Sequence, residues 1–209
     1  MTTVVYLHGF RSSPQSFKGQ LIGQALMDQG PGNTYFAPQL PASPLEAVNF
    51  VEQWCEEQCA EGSLRNPERD LILVGSSLGG FYATVLAQRL GCRAVLLNPG
   101  TYPARDLATQ VGVTTQFHAP DEPFEFKRSY LDELCCLHPI AITRPERYFL
   151  VAATGDELLD WNEMIARYQG CPHKIVQGSD HGLSDFTDHL PDVLAFCFTP
   201  CFSPATRTP

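Results

Sequence analysis

The stretch Leu71-Ile72-Leu73-Val74-Gly75-Ser76-Ser77-Leu78-Gly79-Gly80 constrains the fold more than any other part of the chain. Four consecutive apolar residues read as a short strand buried on both faces. A G-x-S-x-G pentapeptide follows, and then Phe81, Tyr82, Val85, Leu86 and Leu90 recur at helical spacing. Strand, sharp turn and helix in this order are what a nucleophile elbow requires, with Ser77 at the strained turn. Such a turn leaves no room for side chains at Gly75 and Gly79, and Gly80 lets the helix pack close. The helix start behind Ser77 offers free N–H groups and a positive dipole end, where an oxyanion can be stabilised. Gly-Ser clusters also occur in ordinary loops, so the flanking strand and helix carry the argument.

The same alternation runs along the chain. Apolar runs at Val4–Leu7, Tyr35–Ala37, Leu71–Val74, Ala94–Leu97, Tyr148–Ala153 and Lys174–Val176 read as strands. Helical patterns lie between them. Phe17, Leu21, Ala25 and Leu26 lead to a stop at Gly30-Pro31. Ser43-Pro44-Leu45-Glu46 is a capping box with proline at the first helical position, opening a helix through Val48, Val51, Trp54, Cys55 and Cys59. Leu158, Trp161, Ile165 and Tyr168 mark another, and a last helix covers much of Leu183–Phe198, broken or restarted by Pro191. Apolar strands alternating with helices predict a mostly parallel sheet of about six strands with helices on both faces, and loops gathered at one edge to form a site. The expected organisation is one α/β domain over residues 1–198, with a flexible proline-rich tail at 199–209.

One interval breaks the rhythm. From Asn98 to Arg147 no strand is evident, yet Tyr102, Phe117, Phe124, Phe126, Tyr130 and Leu131 fall there. Insertions of this length are commonly caps or lids, the alternative being extra packing helices. Phe117, Phe124, Phe126 and Tyr130 are the candidates for an apolar wall beside the site.

Composition limits the functions available. Fourteen Lys and Arg against 23 Asp and Glu give a formal charge of −9, and no basic cluster is present, which argues against nucleic acid as a partner. No run approaches the ~18–20 apolar residues of a membrane span. No basic region followed by an apolar stretch opens the chain, so a cytoplasmic location is expected. The eight cysteines lack zinc-site spacing and read as buried thiols. No metal or organic cofactor is required, and no G-x-G-x-x-G follows a strand.

A serine hydroxyl needs a base to take its proton and an acid to orient that base. Both follow Ser77 in the chain order expected on such a sheet. Asp156 stands in Thr154-Gly155-Asp156-Glu157 directly after a strand, and His181 in Gln177-Gly178-Ser179-Asp180-His181-Gly182 after the next. Asp156 could instead cap a helix beginning near Glu157, and Glu157 and Asp160 are its rivals as the acid. After the first strand comes Leu7-His8-Gly9-Phe10-Arg11-Ser12-Ser13-Pro14, a turn able to offer a backbone N–H to an oxyanion. The donors would be the amides of Phe10 and Leu78, with His8 structural. Arg11 could reach an anionic substrate group at the site mouth, but a salt bridge to a structural carboxylate is the simpler expectation.

The motifs His8-Gly9-Phe10-Arg11-Ser12-Ser13-Pro14, Gly75-Ser76-Ser77-Leu78-Gly79-Gly80, Asn98-Pro99, Gly155-Asp156-Glu157 and Gly178-Ser179-Asp180-His181 together resemble the small bacterial YqiA/YcfP-type esterases of the α/β-hydrolase superfamily. The likeness runs from the first strand to the last helix. It implies a reduced α/β-hydrolase sheet lacking the first two strands of larger members, hydrolysis of carboxylic esters or thioesters, and Ser77, Asp156 and His181 as the triad. The proline-rich tail and a longer stretch around Val111–Pro123 depart from the pattern. Acyl-CoA is among the substrates such an activity would admit. A binding or scaffold protein on the same fold and a peptidase are the competing readings.

Overall fold

The computed structural model describes residues 2–30 and 32–199. Pro31 of the expected helix stop and positions 200–209 of the expected flexible tail lie outside the described residues.

The elements run β1 (Thr2–Leu7), α1 (Phe17–Asp28), β2 (Asn33–Phe36), α2 (Pro44–Ala60), α3 (Pro67–Asp70), β3 (Leu71–Ser76), α4 (Leu78–Leu90) and β4 (Arg93–Leu97). They continue with α5 (Pro103–Asp106), β5 (Gly112–Thr115), β6 (Pro123–Phe126), α6 (Ser129–Leu137), β7 (Tyr148–Ala153), α7 (Trp161–Arg167), β8 (His173–Val176) and α8 (Leu190–Phe198). Six strands form one sheet in the order β2-β1-β3-β4-β7-β8, every neighbouring pair parallel.

Strand periodicity sorts the core into two layers. Val5, Leu7, Leu71, Leu73, Ala94, Leu96, Leu150 and Ala152 face the side packed by Val48 and Val51 of α2, Phe81 and Leu86 of α4 and Met164 of α7. Val4, Tyr6, Ile72, Val74, Val95, Leu97, Val151 and Ala153 face Ile22 and Leu26 of α1 and Val193 and Cys197 of α8. With both faces covered, β3 and β4 are buried along their whole length, which is why they read as continuous apolar runs.

Helix boundaries differ from the sequence expectation where a local side chain decides them. Asp160 caps α7 by accepting the Asn162 N–H at 2.8 Å, so that helix starts at Trp161 and not near Glu157. Pro191 sits in the first turn of α8, where its missing N–H costs nothing, and does not break a longer helix. Ser43 accepts the Glu46 N–H as expected of an N-cap, and its hydroxyl donates to Glu133 of α6 at 2.7 Å.

The 98–147 interval holds two short helices and an antiparallel hairpin, β5 with β6, that the sequence reading did not find. The strands are four residues each and β5 is largely exposed, so it carries no hydrophobic alternation to detect. In β6 the period of two places Phe124 and Phe126 on one face.

Candidate active site

The parallel sheet collects the loops following β1, β3, β4, β7 and β8 at its C-terminal edge. Ser77 follows β3 with φ 56° and ψ −121°, a strained conformation for a residue bearing a side chain. The glycines make that turn possible. A Cβ on Gly75 would lie 2.1 Å from the Gly79 carbonyl oxygen, and one on Gly79 would lie 2.0 Å from that of Leu7. On Gly80 it would stand 2.7 Å from Pro99 Cβ. The turn is thereby wedged between the ends of β1 and β4.

The three residues separated in sequence come together there. His181 Nε2 is 3.0 Å from Ser77 Oγ, and His181 Nδ1 is 2.8 Å from Asp156 Oδ2. The Asp156 side chain is fully buried and that of His181 is 16% exposed. Asp156 Oδ1 accepts two further N–H groups, from Leu158 at 2.9 Å and Leu159 at 2.8 Å. The carboxylate therefore has a fixed orientation and aims one oxygen at the imidazole. Glu157 and Asp160, the rivals for this position, point elsewhere. Glu157 accepts the His181 backbone N–H at 3.0 Å, and Asp160 caps α7.

The turn after β1 lies against the serine, since a Cβ on Gly9 would be 3.2 Å from Ser77 Cβ. His8 holds this turn from within the core. Its Nε2 accepts the Leu40 N–H at 3.0 Å, so the ring proton is on Nδ1 and is donated to the Gly9 carbonyl at 2.9 Å. Burial pushes its pKa down, with His118 adding to the effect and the Gly9 carbonyl opposing it. The ring stays neutral and structural. The Phe10 and Leu78 amides have no backbone acceptor among the described residues, and Leu78 is the first residue of α4.

The remaining sequence candidates are placed differently from one another. Arg11, at φ 59°, makes no salt bridge among the described residues. Its Nε donates to the Thr115 carbonyl at 2.5 Å and its guanidinium lies 4.5 Å from the Phe117 ring centre. The Phe117 N–H donates to the Arg11 carbonyl at 2.9 Å, so Arg11 ties the β5–β6 hairpin to the turn. The expected carboxylate partner is replaced by a carbonyl and an aromatic face. Phe117 is 70% exposed. Phe124 and Phe126 meet the Phe10 ring edge to face, at 5.4 and 5.1 Å, and Tyr130 meets Phe126 at 5.5 Å. This aromatic cluster leaves a cavity of about 20 Å³ between Phe10, Leu40, Leu78, Tyr82 and Phe124, room for about one water. A far larger groove of about 710 Å³ runs between α1 and β2 past Phe17, Met27 and Tyr35. None of Ser77, Asp156 or His181 lines it.

Two residues here were not picked out as functional from the sequence. Asn98, after β4, donates to the Asp180 and His181 carbonyls, both at 3.0 Å. Lys18 of α1 donates to the Gly182 carbonyl. Burial drives the Lys18 pKa down to about 8, against the attraction of Asp180 and Asp156. An asparagine at the end of a buried strand, where the chain must turn, is the signal that could have found Asn98. Lys18 gives no such signal. No group of three His, Cys, Asp or Glu residues able to hold a metal occurs among the described residues. Nor is any helix there long and apolar enough to cross a membrane.

Known proteins place this architecture. The ydeN gene product of B. subtilis superposes with a TM-score of 0.64 at 15% identity, covering 95% of this chain and 99% of that one. Est1E from Butyrivibrio proteoclasticus, solved with ferulic acid bound, gives 0.65 at 12% identity, covering 93% and 88%. The fold is that of the α/β hydrolases, and esterases are among its structural neighbours. A UPF0227 protein of Yersinia pseudotuberculosis is 24% identical over 196 residues, 92% of this chain and 97% of the relative. Residues 3–198 match the family described as "Uncharacterised protein family (UPF0227)", and the chain belongs to that family, in keeping with the YqiA/YcfP-type resemblance of its motifs.

Proposed function

We propose that the chain is a serine hydrolase that cleaves carboxylic esters or thioesters through an acyl-enzyme, with Ser77 as nucleophile, His181 as base and Asp156 as orienting acid. The observation that carries this reading is the unbroken hydrogen-bonded chain from Ser77 Oγ through both nitrogens of His181 to a buried carboxylate. Because Asp156 can only accept, it holds the His181 proton on Nδ1 and leaves Nε2 free to receive the serine proton.

In the first half-reaction Ser77 Oγ attacks the acyl carbonyl as its proton passes to His181 Nε2. The tetrahedral oxyanion is met by the Phe10 and Leu78 amides, at a helix N-terminus and in a turn that touches the serine. The imidazolium returns its proton to the departing alcohol or thiol, leaving Ser77 acylated. Water then attacks the acyl group by the same base, Ser77 leaves with its proton restored, and the free acid departs.

The 98–147 segment acts in this reading as the cap. Its hairpin brings Phe124, and α6 brings Tyr130, into the aromatic group around Phe10, where the acyl chain would bind, and Arg11 and Phe117 fasten the hairpin in place. The substrate is a small molecule, acyl-CoA included. The protein works in the cytoplasm, which fits the seven free thiols among the described residues. Hydrolysis of p-nitrophenyl esters and acyl-CoA thioesters, with Ser77→Ala alongside, tests the reading. The alanine variant should fold and lose about 10⁴–10⁶ in kcat, and turnover equal to wild type would refute it.

A further inference from the structure

The residue expected to act as base sits in a loop, and a loop alone does not hold an imidazole to within a few tenths of an ångström. Between β8 and α8 the described residues form only a three-residue 3-10 turn, Phe186–Asp188. Three side chains from three other parts of the fold grip the main chain on either side of His181. Glu157, beyond β7, accepts the His181 N–H at 3.0 Å. Lys18, on α1, donates to the Gly182 carbonyl. Asn98, beyond β4, donates through Nδ2 to both the Asp180 and His181 carbonyls at 3.0 Å.

Asn98 has the most demanding position of the three. It is wholly buried and holds φ at 42°, in the left-handed region where a side chain is disfavoured and asparagine is among the least strained choices. Its own N–H donates to the Val151 carbonyl at 2.9 Å, and its Oδ1 accepts the Ala153 N–H at 2.8 Å. Both belong to β7, the strand that ends three residues before Asp156. One amide side chain therefore fastens the end of the strand bearing the acid to the loop bearing the base. No other side chain of the right length could replace it fully, because the site asks for one acceptor and two donated hydrogen bonds from the same planar group.

We infer that Asn98 is a positioning residue for His181: it fixes the separation of the Asp156 and His181 loops, and Glu157 and Lys18 complete the grip. The inference rests on the proposed Ser77–His181–Asp156 chemistry. Displacing a base by about 1 Å costs on the order of 10²-fold in rate while leaving substrate binding in place.

The test compares wild type with Asn98→Ala and Asn98→Asp, the latter keeping the acceptor for Ala153 and losing both donors. Folding is followed by circular dichroism and thermal melting, and active sites are titrated so that kcat refers to folded enzyme. For both variants kcat on p-nitrophenyl acetate should fall about 10²-fold with KM changed less than twofold, and the rate of fluorophosphonate labelling should fall in parallel. A merely structural role would lower the melting temperature and leave kcat per site intact. Folded variants with kcat within threefold of wild type overturn the inference. If neither variant folds, Lys18→Met and Glu157→Ala are measured singly and together. A graded loss of kcat at constant KM supports the grip, and wild-type kcat in the double variant overturns it. Wild-type enzyme that the fluorophosphonate does not label would sink the underlying chemistry as well. Normal labelling with unaffected Asn98 variants would sink this inference alone.

Discussion

Replacing Asp156 by asparagine should leave the fold nearly untouched and remove almost all activity, for a reason visible in the geometry. Oδ1 accepts two backbone N–H groups, from Leu158 and Leu159, and Oδ2 faces the single N–H on His181 Nδ1. The amide of asparagine has one oxygen and one NH₂. Placing the oxygen at the Oδ1 position keeps two hydrogen bonds, whereas the reverse placement keeps one and opposes the NH₂ to two N–H groups. At about 1 kcal/mol per hydrogen bond, more where a buried donor is left unpaired, the first placement dominates. It presents NH₂ to Nδ1, and the imidazole answers by moving its proton to Nε2. Every buried group is then satisfied, but Nε2 donates to Ser77 and can no longer accept from it. The expected loss in kcat is about 10³–10⁴, or about 4–5.5 kcal/mol of transition-state stabilisation, with KM little changed. The assay is steady-state hydrolysis of p-nitrophenyl acetate beside a thermal melt of the same preparation. A folded Asp156→Asn enzyme retaining more than a tenth of wild-type kcat would show that this carboxylate does not set the tautomer.

Two further outcomes follow from other parts of the molecule. His8 is held neutral by burial, so below the ordinary histidine value of about 6.5 the unfolded chain takes up a proton that the folded chain refuses. Its contribution to stability is lost as pH falls below that value, and urea melts at pH 7.5 and 5.5 should show a steeper decline for wild type than for His8→Gln; equal slopes would contradict this. Because the cavity that Phe10, Leu78 and Phe124 line against the turn after β1 holds only about 20 Å³, acetyl esters should be preferred to octanoyl esters, and Phe124→Ala should raise the octanoyl-to-acetyl ratio of kcat/KM. An unchanged ratio would remove Phe124 from the acyl wall.

The sheet is legible because strands buried on both faces need apolar side chains on both, and β1, β3, β4 and β7 each carry an unbroken apolar run of at least four residues. Ser77 was legible for a related reason: the contacts that forbid a Cβ at Gly75 and Gly79 leave glycines in the sequence. The hairpin leaves no comparable trace, since β5 exposes Val113 and, among the described residues, pairs with β6 alone. Arg11 illustrates a different limit. A guanidinium advertises charge, so a carboxylate partner was the natural expectation, yet its partners are the Thr115 carbonyl and the Phe117 ring, neither of which sequence separation indicates. Glu157, next to Asp156 in the chain, is a rival acid on sequence alone. Its role at the His181 N–H depends on the turn at residues 156–159, which is set by the two amides that Asp156 binds. Asn98 and Lys18 grip the same loop from β4 and α1, and only the folded topology brings those elements to it.

The central claim is that Ser77 is made nucleophilic by His181, and covalent trapping tests it most directly. Intact protein treated with a fluorophosphonate should gain one adduct, and peptide mass spectrometry should place it on Ser77. Ser77→Ala should not label, and His181→Ala should label at a rate lower by about 10³ or more. An adduct on Ser76, or labelling of the His181→Ala protein at the wild-type rate, would contradict the account.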